Sequence, residues 1–135
     1  MSYPYKYQKT RRHALKTILA SASVAASFNA FGLSTHGRNE MNITVIVSFE
    51  TKEDKTSDFS KILENVKIEL PKVEGCIGVT IFQSASQSNQ FTLVEKWKNK
   101  ELHQTNLDKL ANNGTWDMIA SHLSKDPTSD YFIQL

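Results

Sequence analysis

One cysteine, three prolines and five glycines are all that 135 residues hold of the types that staple, break or loosen a chain. The lone Cys76 excludes an internal disulfide framework and any cysteine-based metal cluster. Long apolar runs are missing too. The stretch from Ile18 to Gly32 is interrupted by Ser21, Ser23, Ser27 and Asn29, well short of the roughly 18 uninterrupted apolar residues of a membrane-spanning helix. Acidic residues are absent before Glu40, whereas Lys6, Lys9, Arg11, Arg12 and Lys16 are all basic. The net charge of +2 is therefore a property of the N-terminus; from Ser27 onward 11 basic residues face 14 acidic ones. That body carries no electrostatic footprint for nucleic acid.

The N-terminal segment TRRHALK, Thr10 to Lys16, followed by ILASASVAASFNAFG, resembles a twin-arginine (Tat) export signal. A positive segment precedes a helix-length apolar stretch too short to anchor, and small residues up to Ala22 or Ala26 offer cleavage points. The resemblance implies a signal over residues 1–30, a polar linker over 31–41, recognition by the Tat machinery, and a periplasmic or otherwise exported protein. What remains is a domain over 42–135. A core of that size is marginal alone, so self-association is expected.

Within the body, Ile43, Val45, Val47 and Phe49 alternate with Thr44, Ile46 and Ser48, which predicts a strand. Phe59, Ile62, Leu63, Val66 and Leu70 recur at helical spacing, with Thr56, Ser57 or Asp58 as N-cap and Pro71 as the stop. Glu74-Gly75 then turns the chain into a strand over Cys76 to Gln83. A polar loop over Ser84 to Gln90 leads to a third strand, Phe91 to Trp97, with Phe91, Leu93, Glu95 and Trp97 on one face. A helix is predicted from about Asn99 to Leu110, stopped by Asn112-Asn113-Gly114, then a short one over Thr115 to Ser124. Asp126-Pro127 ends that helix, and Tyr131 to Leu135 reads as a final strand. Strand, helix, two strands, helices and strand is the split βαβ order of an α+β, ferredoxin-like sandwich. Helices cover one face of such a sheet, and apolar side chains on the other call for a second copy.

VEGCIGVTIF, Val73 to Phe82, followed by FTLVEKW, Phe91 to Trp97, and a helix just after the tryptophan, resembles the antibiotic biosynthesis monooxygenase family, including its quinol monooxygenase-like members. The resemblance implies a homodimer closing an α+β barrel, with each subunit's open sheet face walling a ligand cavity. It also implies oxidation of an electron-rich aromatic by molecular oxygen without metal or flavin. In quinol monooxygenase-like relatives a histidine often stands nine residues after that tryptophan; here the position is Asn106. Haem-degrading relatives carry a tryptophan near there, which Asn106 also replaces. The alternative within the same fold is a non-catalytic module holding haem or a small aromatic.

A cofactor-free oxygenase needs aromatic walls and a few polar groups that bind and deprotonate an aromatic alcohol. Trp97, Trp116, Phe82, Phe91 and Tyr131 are the candidate walls, joined by Glu95 as a binding group; His103, His122 and Asn106 are the candidate catalytic residues. Each has a plainer role available. Trp97 at a strand end suits packing, and Glu95 suits pairing across a dimer seam. His103 amid polar neighbours suits solvent, His122 suits a helix end, and Cys76 suits a small buried position.

Overall fold

A computed structural model describes residues 41–135. The predicted signal and nearly all of the predicted linker lie outside them. The elements are β1 (Ile43–Glu50), α1 (Thr56–Glu69), β2 (Cys76–Gln83), β3 (Gln90–Trp97), α2 (Lys100–Asn112), α3 (Thr115–Ser121) and β4 (Thr128–Ile133). The strands form one sheet in the order β2-β3-β1-β4, every neighbour antiparallel. β3 thus lies between β1 and β2, the split βαβ arrangement predicted from the element order.

Strand alternation sorts side chains onto two faces. Val45, Val47 and Phe49 of β1 lie opposite Glu95, Leu93 and Phe91 of β3, and all six are buried beneath the helices. From α1, Phe59 drops between Phe49 and Phe91, its ring centroid 5.4 and 5.5 Å from theirs. Leu63 follows one turn later, Ile119 and Leu123 seal the end of the core, and Trp97 is wholly enclosed. The other face carries Ile46 and Val94 with the largely exposed Phe82 and Phe132.

Several boundaries differ from those predicted. α1 has no side-chain cap: a 3-10 turn over Glu53–Lys55 leads into it, and the Thr56 hydroxyl turns back to the Lys52 carbonyl at 3.3 Å. α3 stops at Ser121, because the chain bends there to tie itself to the end of β1. Lys52 N–H donates to the His122 carbonyl at 3.0 Å, and Ser124 N–H to the Glu50 carbonyl at 2.9 Å. β4 begins at Thr128, opposite Ser48, and ends at Ile133, opposite Ile43. Pairing with β1 sets its length, which the local sequence does not record.

Gly75 makes the turn into β2 with φ of +86°, a left-handed conformation open to glycine at little cost. Its carbonyl accepts from Lys98 N–H at 2.9 Å, and any Cβ there would run into the Leu102 side chain on α2. β2, the end of β3 and the start of α2 are thereby drawn together. Asn99 caps α2, its side-chain oxygen accepting from Leu102 N–H at 2.9 Å. Among the described residues no helix is long and apolar enough to cross a membrane.

Candidate functional site

The two residues that α2 buries are both polar, His103 and Asn106, three positions apart on the side facing the sheet. Burying polar groups costs free energy unless they are partnered, so such a stripe points to function more than to stability. Opposite them, Glu95 projects from β3 on the same face as Leu93 and Trp97. Trp97 Nε1–H donates to Glu95 Oε2 at 2.8 Å, and His103 Nε2 lies 3.7 Å from that same oxygen. The 3.7 Å gap is an ion-pair distance, too long for a hydrogen bond. The Trp97 and His103 rings meet edge to face, with centroids 5.2 Å apart.

On its other side His103 Nδ1 is 2.8 Å from the Tyr131 hydroxyl, and the Gln104 amide also donates into that phenol oxygen. Lys100 Nζ sits 4.6 Å from the Tyr131 ring centroid, a cation over an aromatic face. The 2.8 Å contact is satisfied with either partner as donor; in the tautomer where the phenol donates to Nδ1, the remaining ring proton is on Nε2, toward Glu95. Burial lowers the His103 pKa from 6.5 to about 4, so the ring is neutral near pH 7. Burial also raises Glu95, partly offset by the Trp97 hydrogen bond. Tyr131 is raised by burial, lowered by the Gln104 bond and raised again by the charge of Glu95.

Glu95, His103 and Asn106 form the polar patch in the wall of a cavity of about 280 Å³ between the sheet and the three helices. The remainder is mostly apolar, with Phe59, Leu63, Leu93, Leu107, Trp116 and Ile119 among its lining. The cavity is therefore on the helix-covered side of the sheet within one protomer, not on the open face where it was expected. Apolar walls with a few convergent polar groups are the usual makeup of a small-molecule site.

The predicted site residues fall into three groups. Glu95, His103, Asn106 and Trp116 meet in the cavity wall. Trp97 and Tyr131 stand behind it, Trp97 holding Glu95 and Tyr131 holding His103. Phe82 and His122 lie elsewhere. Phe82 pairs with Thr92 on the outer face, since alternation sends Ile81 to the helices instead. His122 sits at the end of α3, with its Nδ1 bonded to the Met118 carbonyl at 2.8 Å, which is the helix-end role. His103 is buried, not solvated, and Glu95 is enclosed by its own protomer, not placed at a seam. Gln104 was not anticipated. Its partner Tyr131 is 27 residues away, and no local pattern links the two. Among the described residues no three His, Cys, Asp or Glu side chains gather as a metal site.

Residues 42–106 match the antibiotic biosynthesis monooxygenase family. The described body has the α+β, ferredoxin-like fold of that family, from β1 to β4. A conserved protein of Methanosarcina mazei Go1 is similar at 18% identity and a TM-score of 0.63, over 72% of this chain and 96% of that one. A candidate antibiotic biosynthesis monooxygenase of Nitrosomonas europaea is similar at 23% identity and 0.63, over 71% and 92%. SnoaB of Streptomyces nogalater, a cofactor-independent oxygenase, is similar at 10% identity and 0.59, over 69% and 92%. At these identities the likeness is one of fold. No curated protein matches the chain.

Proposed function

We propose that this protein is an exported, cofactor-independent monooxygenase that oxidises a small quinol-like or polyphenolic aromatic with molecular oxygen. The observation that carries the reading is the apolar cavity of about 280 Å³ with Glu95, His103 and Asn106 converging on it. An apolar cavity of about 150 Å³ admits benzene, so this one suits a substituted ring. An electron-rich aromatic brings its own reducing electrons. The protein's part is to bind the ring, accept a hydroxyl proton and keep water away from the reactive product. Phe59, Leu93 and Trp116 supply apolar surface for the ring, and the Asn106 amide can hold a hydroxyl by donating or accepting.

The family match over residues 42–106 supports oxygenase chemistry. The Arg11-Arg12 pattern ahead of a mild apolar stretch supports export through the Tat machinery. The exposed Phe82 and Phe132 support a homodimer formed through the outer face of the sheet. Oxygen uptake by the purified protein with hydroquinones, under air and without added metal or flavin, tests the reaction. Uptake above the buffer rate is expected; uptake at the buffer rate overturns the reading. Export is tested by changing Arg11 and Arg12 together to lysine, which is expected to leave the protein in the cytoplasm.

A further inference from the structure

We propose that Glu95 is the proton acceptor of the cavity, taking a substrate hydroxyl proton on Oε1, while Tyr131 and Gln104 hold His103 in the tautomer that points a ring N–H at Glu95. The inference rests on the aromatic-site reading above and names the group that performs its first step.

Both polar neighbours of the Glu95 carboxylate face Oε2: Trp97 Nε1 hydrogen-bonds it at 2.8 Å, and His103 Nε2 stands 3.7 Å from it. Among the described residues Oε1 takes no hydrogen bond, yet the side chain keeps only 10% of its surface open and lines the cavity. A buried carboxylate oxygen without a donor is costly, and a ligand hydroxyl in the cavity would relieve it. His103 lines the same wall; in the proposed tautomer its Nδ1 accepts from Tyr131 and its Nε2 carries the ring proton, which leaves no free lone pair for a substrate proton. Asn106 cannot accept a proton at these pH values, and His122 is at the far end of α3.

The surroundings also favour a neutral substrate. The titratable groups facing Glu95 are His103 from α2, Tyr131 from β4 and Cys76 from β2, with Glu69 at the cavity rim. Among the described residues no lysine or arginine lines the cavity. An aromatic bearing its own carboxylate would meet Glu95 without a counter-ion, so uncharged phenols are the substrate class. The upward push that burial gives the Glu95 pKa brings it closer to that of a phenol, as a working base requires.

In the step itself the substrate O–H bond breaks, an O–H bond forms on Oε1, and the electron pair stays on the substrate oxygen. The resulting phenolate reduces molecular oxygen. One oxygen atom enters the ring, where its new hydroxyl takes up the displaced ring hydrogen as a proton, and the other leaves as water, taking up the proton held on Glu95 and that of the second quinol hydroxyl. A quinol and O₂ thus become a hydroxyquinone and water.

The test uses the full chain, plain phenol as an unreactive probe, and calorimetric binding from about pH 4 to 8, alongside oxygen uptake with hydroquinone. Wild type is expected to lose phenol affinity on the acid side as Glu95 takes a proton from solvent. Glu95→Gln is expected to bind phenol within about threefold, to show no acid-side loss, and to turn over about 10²–10⁴-fold more slowly. Tyr131→Phe frees the His103 tautomer and is expected to move the acid-side loss to higher pH. Should Glu95→Gln fail to fold, Glu95→Asp serves instead, keeping the acid-side loss while losing turnover. If the acid-side loss persists in Glu95→Gln, His103 is the titrating group and the proposal is overturned. The same holds if Tyr131→Phe leaves it unmoved. Phenol binding with these pH effects but no oxygen uptake would sink the oxygenase reading and support Glu95 as acceptor. Absence of phenol binding at every pH would remove both.

Discussion

On the helix side of the sheet Val45, Phe91, Leu93 and Trp97 are each more than nine-tenths buried, whereas on the opposite side Phe82 and Phe132 keep 54% and 46% of their surface open. The two faces are built from the same strands and differ by a single alternation. Each holds residues in an unfavourable medium. The covered face buries Glu95, His103 and Asn106 at a cost in desolvation, and the open face exposes aromatic rings at a cost in hydration. In the proposed function the polar groups inside handle a ligand, and the apolar groups outside meet a second copy.

Four experiments set the faces against each other. Phe59→Ala, which empties the space between Phe49 and Phe91, is expected to lower stability by about 3–5 kcal/mol in chemical denaturation. Trp97→Phe keeps most of the volume but removes the donor to Glu95 Oε2. It is expected to cost about 1–3 kcal/mol and to raise the Glu95 pKa further.

The third is the pH dependence of melting. His103 has a folded pKa of about 4, below its ordinary 6.5, so its neutral form favours the fold. That contribution is complete above about pH 6.5 and is lost as pH falls toward 4. Glu95, raised by burial, works in the opposite direction: its contribution is present at low pH and lost as pH rises through its folded pKa. His103→Gln is therefore expected to flatten the fall in melting temperature between about pH 6.5 and 4. The smallest effect is on the open face. Phe82→Ser and Phe132→Ser are expected to change the stability of a lone protomer by no more than about 0.5 kcal/mol. Sedimentation would show loss of self-association; a dimer that survives both changes would separate the open face from assembly.

The fold was legible because its signals are local. Alternation over Ile43 to Phe49 and over Phe91 to Trp97, helical spacing from Phe59 to Leu70, and the Asn112-Asn113-Gly114 stop each report on neighbours in sequence. Element ends set by long-range pairing were not. Ser124 tied to Glu50 and Thr128 paired with Ser48 settle where α3 stops and β4 starts. The candidate site shows the same division. Glu95, His103, Asn106 and Tyr131 could each be singled out by type and position, but the run of contacts from Glu95 through His103 to Tyr131 depends on how β4 lies beside β1. Phe82 was misplaced onto the site because its aromatic character outweighed its parity: one residue earlier or later, the strand would have sent it inward.

Gly75 acquires a different meaning beside this network. It touches no residue of the polar patch, yet its bare backbone sets how closely the first turn of α2 approaches the β2–β3 end of the sheet. The 3.7 Å between His103 and Glu95 is measured from that seat. A methyl group at position 75 would work as a shim: α2 would be lifted outward, and the separation that governs how strongly a ring N–H steadies a carboxylate would widen. The geometry of the wall can thus be retuned from a glycine that does not line the cavity.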